Sequence, residues 1–272
     1  MDDSTIDAGL GELVDAIYRR YSYDFRDYAQ ASQRRRVLHA VQRLGCTSVA
    51  DLQELVLREP PAFTELLQML TIPVTQMFRD PPFFLALRRH VAPVLKTYPS
   101  LKVWIAGCCT GEEVLSMAIL LREEGLLERT MMYATDINPQ VLEKAKKGVF
   151  ALDKIKAYTA NYQQAGGRRA FSDYYTAAYD GALFDKTLCE NVTFADHSLA
   201  TDHVFAETHL ICCRNVLIYF NRPLQNRSLG LFEESLCHRG FLGLGSKESL
   251  NFSAYSTHFE QIGNPEKLYR KR

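Results

Sequence analysis

The apolar residues of roughly the first seventy positions recur with helical spacing. The positions that repeat at intervals of three or four residues are Leu13, Ile17, Tyr21, Val37, Leu38, Val41 and Leu44. Gly45 supplies a stop for the second of these helices. Ser48, which precedes an acidic residue three positions on, predicts the cap of a third helix reaching Arg58. No strand pattern occurs here, so we expect a small all-helical domain over residues 1–70.

Residues 71–82, TIPVTQMFRDPP, contain three prolines and interrupt this helical rhythm. Proline lacks a backbone N–H and fixes one backbone dihedral, so it disfavours regular structure in the middle of an element. We therefore predict an extended linker and a domain boundary here, followed by a helix that starts near Phe83.

Beyond the linker, short apolar runs alternate with helical patterns. The strand-like runs are VWIAG, MMYATDI and HLICCRN, and the helical ones are EEVLSMAILLREEG, PQVLEKAKKGVF and PLQNRSLGLFEESL. This alternation predicts an α/β domain over residues 83–272 with a doubly wound, Rossmann-like parallel sheet, closed by strands near the C-terminus. Residues from about 158 to 192 break the alternation with a Gly166/Gly167 turn and an aromatic stretch, which predicts a small antiparallel β insertion.

Composition narrows the class of protein. The 272 residues include 32 basic and 32 acidic side chains, so no global field draws the chain onto nucleic acid or anionic lipid. The seven cysteines contain no CxxC pair, which argues against a zinc site and a disulfide framework and favours a reducing compartment. No apolar run approaches the roughly 18 residues of a membrane span. The acidic, polar start does not resemble a signal sequence, so we expect a cytoplasmic protein.

The stretch VWIAGCCTGEE carries the first candidate chemistry. In open α/β sheets ligands bind beyond the carboxyl ends of the strands, where Gly107 and Gly111 allow close approach of the backbone. A pyrophosphate there would meet Glu112 and Glu113, and like charges at about 4 Å cost about 1 kcal/mol even in bulk water. For a cofactor with an ammonium and a sulfonium, such as S-adenosylmethionine, the interaction with these glutamates is attractive instead. Two glutamates at a helix start also have a plainer explanation in the helix macrodipole.

Asp136 ends the second predicted strand, MMYATDI. An acidic residue at this place accepts hydrogen bonds from both hydroxyls of a ribose. This feature by itself suits a nicotinamide dinucleotide equally well. The prediction of S-adenosylmethionine therefore depends on the acid pair Glu112 and Glu113 and not on Asp136.

Four segments together resemble a known family. TGEE after VWIAG, the upstream TxMFRD, the strand end ATDIN and the downstream CRNVLIYF, in this order and spacing, are similar to those of the CheR-type chemotaxis receptor methyltransferases. Members of this family methylate glutamate side chains on receptor cytoplasmic domains with S-adenosylmethionine and release S-adenosylhomocysteine. The resemblance runs from about Leu13 to the C-terminus.

The resemblance implies a set of site residues. It places cofactor contacts at Thr75, Arg79, Gly107, Glu113, Asp136, Ser198, Leu199, Arg214 and Asn215, and catalytic roles at Arg79 and Tyr219, with no metal. Ser198 and Leu199 inherit the place of a pair that flanks the adenine, and Tyr219 that of a tyrosine facing the methyl group. Pro73 and Ser198 stand where the family has asparagine, and Met77 replaces a phenylalanine. Each asparagine departure removes a side-chain amide.

The same resemblance suggests a mechanism and a partner. A glutamate acceptor, with an ordinary pKa of about 4.3, is already a carboxylate at neutral pH and needs no general base. The product is then a glutamate methyl ester. The helix with Arg34, Arg35, Arg36 and Arg43 either docks on the acidic methylation helices of a transmembrane chemoreceptor or is only a solvated face. We expect a monomer that is not itself inserted in the membrane and does not bind nucleic acid.

Two other functions stay open at this point. A non-catalytic module could bind S-adenosylmethionine or S-adenosylhomocysteine without transferring a methyl group, and the departures at Pro73 and Ser198 are its main support. Arg79 and Tyr219 argue for catalysis, because neither is needed to hold adenosine. Taken alone, however, an arginine is more often a surface ion-pair partner, and a tyrosine in an apolar run is more often a core residue. A methyltransferase of nucleic acid or small molecules is the third possibility. Its nucleic-acid version is disfavoured by the zero net charge.

Overall fold

The computed structural model describes residues 3–71 and 74–272. Its N-terminal lobe consists of four helices, α1 (Asp3–Tyr21), α2 (Gln30–Arg43), α3 (Val49–Arg58) and α4 (Pro60–Leu70). Gly45, with φ of 71°, lies just past the end of α2, and the Ser48 hydroxyl accepts the Asp51 N–H at 3.0 Å, as the predicted cap requires. The apolar faces of the four helices share one core, in which the ring of Tyr21 stacks on that of Phe63.

The remaining chain forms the larger α/β domain. Its helices are α5 (Pro81–Ala86), α6 (Ala92–Leu95), α7 (Glu112–Glu123), α8 (Pro139–Lys147), α9 (Leu152–Gln164) and α10 (Arg222–Ser235). Its strands are β1 (Leu101–Ala106), β2 (Thr130–Asp136), β3 (Val149–Ala151), β4 (Tyr175–Ala178), β5 (Gly181–Phe184), β6 (Val192–Asp196), β7 (Thr208–Cys213), β8 (Leu236–Leu244), β9 (Phe259–Gly263) and β10 (Leu268–Lys271).

Seven strands form the main sheet in the order β6-β2-β1-β7-β8-β10-β9. The first five run parallel to one another, and β10 pairs antiparallel with both β8 and β9. β1 is buried at every position except Lys102, because one apolar core packs on each face of the sheet. Strand order reverses between β1 and β7, which opens a crevice beyond their carboxyl ends. The predicted Rossmann-like fold is thus confirmed.

A second, three-stranded antiparallel sheet has the order β3-β5-β4, so the predicted antiparallel insertion is present. Its first strand lies upstream of residue 158, and α9 occupies part of the stretch in which we predicted strands. Gly166, with φ of 76°, follows the end of α9, where a left-handed residue terminates a helix. The hairpin turn instead contains Tyr179 and Asp180, between β4 and β5. The domain boundaries themselves stay predictions.

The helical lobe touches the segment that follows β7. Tyr28 and Phe220 form an isolated antiparallel bridge, and the Ala29 N–H donates to the Tyr219 carbonyl at 2.8 Å. The Asn221 N–H donates to the Asp27 carbonyl at 2.9 Å. The N-terminal lobe is therefore fixed directly against the crevice at the carboxyl ends of the sheet.

Candidate active site

A concave cleft lies at the carboxyl ends of β1, β2 and β7, the place where open α/β sheets bind ligands. Nine of the ten predicted site residues line it: Thr75, Arg79, Gly107, Glu113, Asp136, Leu199, Arg214, Asn215 and Tyr219. These residues are far apart in the sequence and belong to the linker, to the strand ends and to the loops that follow them. The fold therefore brings them to one place, and their individual roles stay predictions.

Ser198 is the predicted residue that is not in this lining. Its N–H donates to the Asp202 carboxylate at 2.9 Å, and its hydroxyl accepts the Ala200 N–H at 3.3 Å. These bonds stabilise the loop that presents Leu199 to the cleft. Pro73, the other departure from the family pattern, lies outside the described residues.

Two glycines allow the turn between β1 and α7. Gly107 has φ of 74°, and a Cβ there would come within 2.4 Å of the Val216 side chain. Gly111 has φ of 94°, and a Cβ would meet the Ala145 backbone at 3.0 Å. A side chain at either position is excluded by both conformation and space, so this close-approach turn requires the glycines seen in the sequence.

Glu113 lies beside a buried arginine. Its Oε2 accepts a hydrogen bond from Arg214 Nη1 at 3.1 Å, and the Arg214 side chain is only 1% exposed. Arg214 also donates to the Asp80 carboxylate at 2.9 Å and packs over the Phe83 ring. Burial raises the pKa of the Glu113 carboxyl, and Arg214 partly offsets that shift. Arg214 thus binds Glu113 and Asp80 at the same time and holds Glu113 in place.

The second oxygen of Glu113, Oε1, is buried and has no hydrogen-bond partner within residues 3–71 and 74–272. A buried carboxylate oxygen without a partner is costly, and an ammonium group would satisfy it. The neighbouring Glu112 faces away from the cleft, because its carboxylate accepts from the Tyr158 hydroxyl at 3.2 Å and the Thr110 hydroxyl at 2.6 Å. The site therefore presents one glutamate to a ligand, and that glutamate fits the cationic end of the predicted cofactor.

Asp136 is held by two backbone N–H groups. One carboxylate oxygen accepts from Cys109 at 2.9 Å and the other from Asn138 at 3.0 Å. Burial raises the pKa of the Asp136 carboxyl, whereas these bonds oppose the shift. Each oxygen keeps a further acceptor site, so the carboxylate can receive the two hydroxyls of a ribose.

Arg79 and Tyr219 lie in the same cleft, and both are half-buried. The Arg79 guanidinium donates to the Val74 carbonyl at 3.2 Å and, among the residues that the structure describes, forms no ion pair. It is therefore available to a carboxylate ligand. Behind Tyr219, the Arg36 guanidinium lies over the ring at 4.5 Å from its centroid.

The position of Arg36 corrects our prediction of a four-arginine docking face. Arg36 is 6% exposed and donates to the Leu70 carbonyl, because it faces the interface between the lobe and the α/β domain. Arg35 and Arg43 are exposed, whereas Arg34 is half-buried with Asp7 at 3.8 Å. The basic face open to a partner thus consists mainly of Arg35 and Arg43.

Sequence reasoning missed several lining residues, including Tyr28, Leu70, Thr71, Ile137 and His197. Three of these belong to the helical lobe or its end, and nothing in their local sequence marks them. Cys108 and Cys109 also line the cleft. Burial raises the pKa of Cys109 to about 12 and that of Cys108 well above its ordinary value, which favours the neutral thiol form of both.

Two further features concern only the described part of the chain. Within it, no helix has both the length and the apolar composition needed to cross a bilayer. Its His, Cys, Asp and Glu side chains form no group of three or more that could hold a metal ion.

Comparison with known proteins gives two family matches. The family described as "CheR methyltransferase, SAM binding domain" matches residues 73–268, and "CheR methyltransferase, all-alpha domain" matches residues 8–71. The chain is 63% identical over 259 residues to a methyltransferase named Cher3 of Pseudomonas putida, with 95% of each chain covered. It is 28% identical over 264 residues to a chemotaxis protein methyltransferase of Escherichia coli, covering 94% of this chain and 89% of the other.

Solved structures of methyltransferases also match at low identity. One is the N-methyltransferase NodS from Bradyrhizobium japonicum in complex with S-adenosyl-L-homocysteine, with 12% identity, a TM-score of 0.35 and 62% of each chain covered.

Proposed function

The chain belongs to the CheR methyltransferase family, and from this premise we propose that it methylates glutamate side chains in the cytoplasmic domain of a chemoreceptor. Its cofactor is S-adenosylmethionine, and the proposed products are a glutamate methyl ester and S-adenosylhomocysteine. One observation carries the proposal: the same cleft contains the unpartnered Oε1 of Glu113 and the Arg79 guanidinium, which forms no ion pair with any described residue. The first suits a cationic cofactor and the second an anionic acceptor.

The chain's own residues need to supply binding and alignment. When bound, S-adenosylmethionine supplies a methyl group on a positively charged sulfur. The acceptor carboxylate is ionised at neutral pH, so no residue has to remove a proton. Arg79 holds and orients that carboxylate, because a guanidinium binds both of its oxygens in a fixed geometry. Restricting two reactants to one orientation lowers the barrier by several kcal/mol.

Other residues of the cleft hold the cofactor and exclude water. Glu113 binds the ammonium end, and Asp136 binds the ribose. Tyr28 and Leu70 from the helical lobe close one side of the cleft, which reduces competition from water at the reacting centre. Arg36 restrains the Tyr219 ring from behind, so that the hydroxyl can orient the acceptor. Both lobes thus contribute to the proposed catalytic site.

The direct test is methyl transfer to receptor fragments. We would incubate the protein with labelled S-adenosylmethionine and purified cytoplasmic domains of candidate chemoreceptors, release base-labile label and map the modified residues by mass spectrometry. Methyl esters on glutamate are expected. Binding of S-adenosylhomocysteine without transfer to any receptor would instead support a non-catalytic binding module, and base-stable label on another residue type would overturn the glutamate assignment.

Docking through the exposed part of α2 gives a second prediction. Replacement of Arg35 and Arg43 by glutamate is expected to raise the KM for the receptor about tenfold at low salt and to weaken the salt dependence of this KM. Charges at the rim of an interface act mainly on the rate of association. The turnover number and the affinity for S-adenosylhomocysteine should stay the same.

The matched control reverses Lys146 and Lys147, which are exposed on α8 and change the net charge by the same amount. This variant should behave as the unaltered protein does. An Arg35/Arg43 variant with unchanged receptor KM and salt dependence would exclude α2 as the docking face.

Cofactor affinity should also depend on pH. Burial raises the pKa of the Glu113 carboxyl above its ordinary value, and a bound ammonium favours the ionised form. Affinity for S-adenosylhomocysteine is therefore expected to be full above the raised pKa of the free protein and to fall as the pH drops through it. In that pH window, binding should release a proton from Glu113 to the buffer. Calorimetry in buffers of different ionisation enthalpy should detect this release.

The Glu113→Gln variant is the control for this pH effect. It retains Asp136, whose pKa burial also raises, and so isolates the contribution of Glu113. The pH profile of its weaker binding should be flatter. Identical pH profiles for the two proteins would mean that Glu113 is not the titrating group.

A further inference from the structure

Glu248 is a buried carboxylate that does not line the cleft. It follows β8 in a tight turn, is 4% exposed and receives its hydrogen bonds from the backbone. Among the residues that the structure describes, no cation lies within ion-pair distance of it. Burying an ionisable side chain without a cationic partner costs free energy. The groups that surround Glu248 therefore indicate its role.

Four backbone N–H groups converge on this carboxylate. Oε2 accepts from Gly245 at 2.6 Å and from Asn215 at 3.0 Å, and Oε1 accepts from Val216 at 2.9 Å and from Ile218 at 3.3 Å. Convergent backbone N–H groups of this kind form an anion-binding concavity. Three of the four donors belong to the short segment that connects β7 to Phe220.

This segment carries four residues that line the cofactor cleft, Arg214, Asn215, Val216 and Tyr219. Arg214 and Asn215 stand at its start and Tyr219 near its end, while the donors Asn215, Val216 and Ile218 lie at or between them. Asn215 has φ of 61°, in the left-handed region, a conformation that costs energy for a residue other than glycine and needs support from its surroundings. Glu248, which is not part of the cleft lining, supplies that support by accepting the Asn215 N–H.

The packing at Gly245 shows how closely the turn and the segment approach each other. A Cβ on Gly245 would come within 2.7 Å of Glu248 Oε2 and 2.8 Å of the Asn215 nitrogen. The Val216 side chain of the same segment packs against the cofactor-binding turn, where a Cβ on Gly107 would lie 2.4 Å from it. The segment therefore packs against both the Glu248 turn and the cofactor-binding turn.

We propose that Glu248 is a positioning residue for methyl transfer, which fixes the segment 214–219 so that Asn215 faces the cofactor and Tyr219 faces the acceptor. It touches neither ligand and acts through the backbone of the segment. The part concerning Tyr219 rests on the proposed function, whereas the part concerning cofactor affinity depends only on S-adenosylmethionine binding.

The test compares Glu248→Gln with the unaltered protein. Glutamine has nearly the same shape but only one acceptor oxygen, and its amide group would face N–H donors. We expect the dissociation constant of S-adenosylhomocysteine to rise about tenfold or more and turnover per binding-competent site to fall about 100-fold, because a small misplacement at a reaction centre has effects of this size. Amide hydrogen exchange of the segment 214–219 should become faster. Glu248→Asp, which retains the charge, should recover part of both losses.

Loss of stability alone would give a different pattern, and calorimetric stoichiometry separates the two. The control is Glu124→Gln, another buried carboxylate, 3% exposed and paired with Arg88, Lys96 and Arg168. It lies just beyond the C-terminal end of α7, about 17 Å along the helix from Glu113 in the cleft. This variant should lower the fraction of competent protein without changing affinity or turnover per site.

Glu248→Gln behaving like this control, or like the unaltered protein, would overturn the proposal. If the unaltered protein methylates no receptor, the proposed function fails while the affinity and exchange measurements still decide the role of Glu248.

Discussion

Replacement of Arg79 by alanine is expected to lower turnover about 100- to 1000-fold, the usual consequence of removing a preorganised charge from a reaction centre. The guanidinium lies in the cofactor cleft and pairs with no described carboxylate. The alanine variant would leave the acceptor carboxylate without a partner and without a fixed orientation. The dissociation constant of S-adenosylhomocysteine should rise less than about tenfold, because one half-exposed charge contributes at most about 1 kcal/mol to binding.

Two further variants sharpen this prediction. Arg79→Lys keeps the positive charge but loses the planar fork that binds both carboxylate oxygens, so it should recover only part of the lost turnover. Arg89→Ala removes an exposed arginine from the π-helical turn Leu87–Val91, between α5 and α6, and should leave turnover unchanged. The measurement is initial-rate methyl transfer to a receptor fragment with calorimetry on the same preparations. An Arg79→Ala variant with normal turnover would remove Arg79 from the proposed mechanism.

The elements that carry most of the fold could be predicted because local pattern and global fold agree in them. β1 is apolar and buried at every position from Val103 to Ala106, since an apolar core packs on each face of its sheet. Gly107 and Gly111 are placed where only glycine fits. The insertion was predicted less accurately, because Gly166 signals a helix end as well as it signals a hairpin. The strands of the insertion are short and lie beside a helix, and they contain too few residues for their periodicity to distinguish strand from helix.

The acid pair illustrates what spacing cannot resolve. Sequence alone places Glu112 and Glu113 together at the start of a helix, and successive residues point about 100° apart around its axis. The structure divides them: Glu112 binds Tyr158 and Thr110, whereas Glu113 lines the cleft. Only the family motif, and not electrostatics, singled out Glu113 beforehand.

Arg36 and Glu248 show the corresponding limit for buried charges. A charged residue on an amphipathic helix is predicted to face water, and that expectation failed for Arg36 because a second domain covers this side of α2. Glu248 has no sequence signal for its role, since three of its four partners lie about thirty residues upstream and all four are backbone groups. Contacts of this kind depend on tertiary packing, which periodicity does not report.

Replacement of Glu113 by glutamine is expected to raise the dissociation constant of S-adenosylhomocysteine about 100-fold. A hydrogen bond between charged groups contributes about 1.5–3 kcal/mol, and every 1.4 kcal/mol changes a dissociation constant tenfold. The fold should survive, because Arg214 keeps its ion pair with Asp80 at 2.9 Å. Glutamine retains the size of the side chain, so the loss reports the charge.

A truncated ligand separates this effect from a general disturbance of the cleft. 5′-Methylthioadenosine has no amino-acid portion, and its affinity should be the same for Glu113→Gln and the unaltered protein. Glu112→Gln is the matched control, since its side chain is also largely removed from solvent, at 1% exposed, but bonds to Tyr158 and Thr110. This variant should lower stability without weakening S-adenosylhomocysteine binding. Equal losses for both ligands in Glu113→Gln would mean that Glu113 shapes the cleft and does not bind the cofactor's ammonium group.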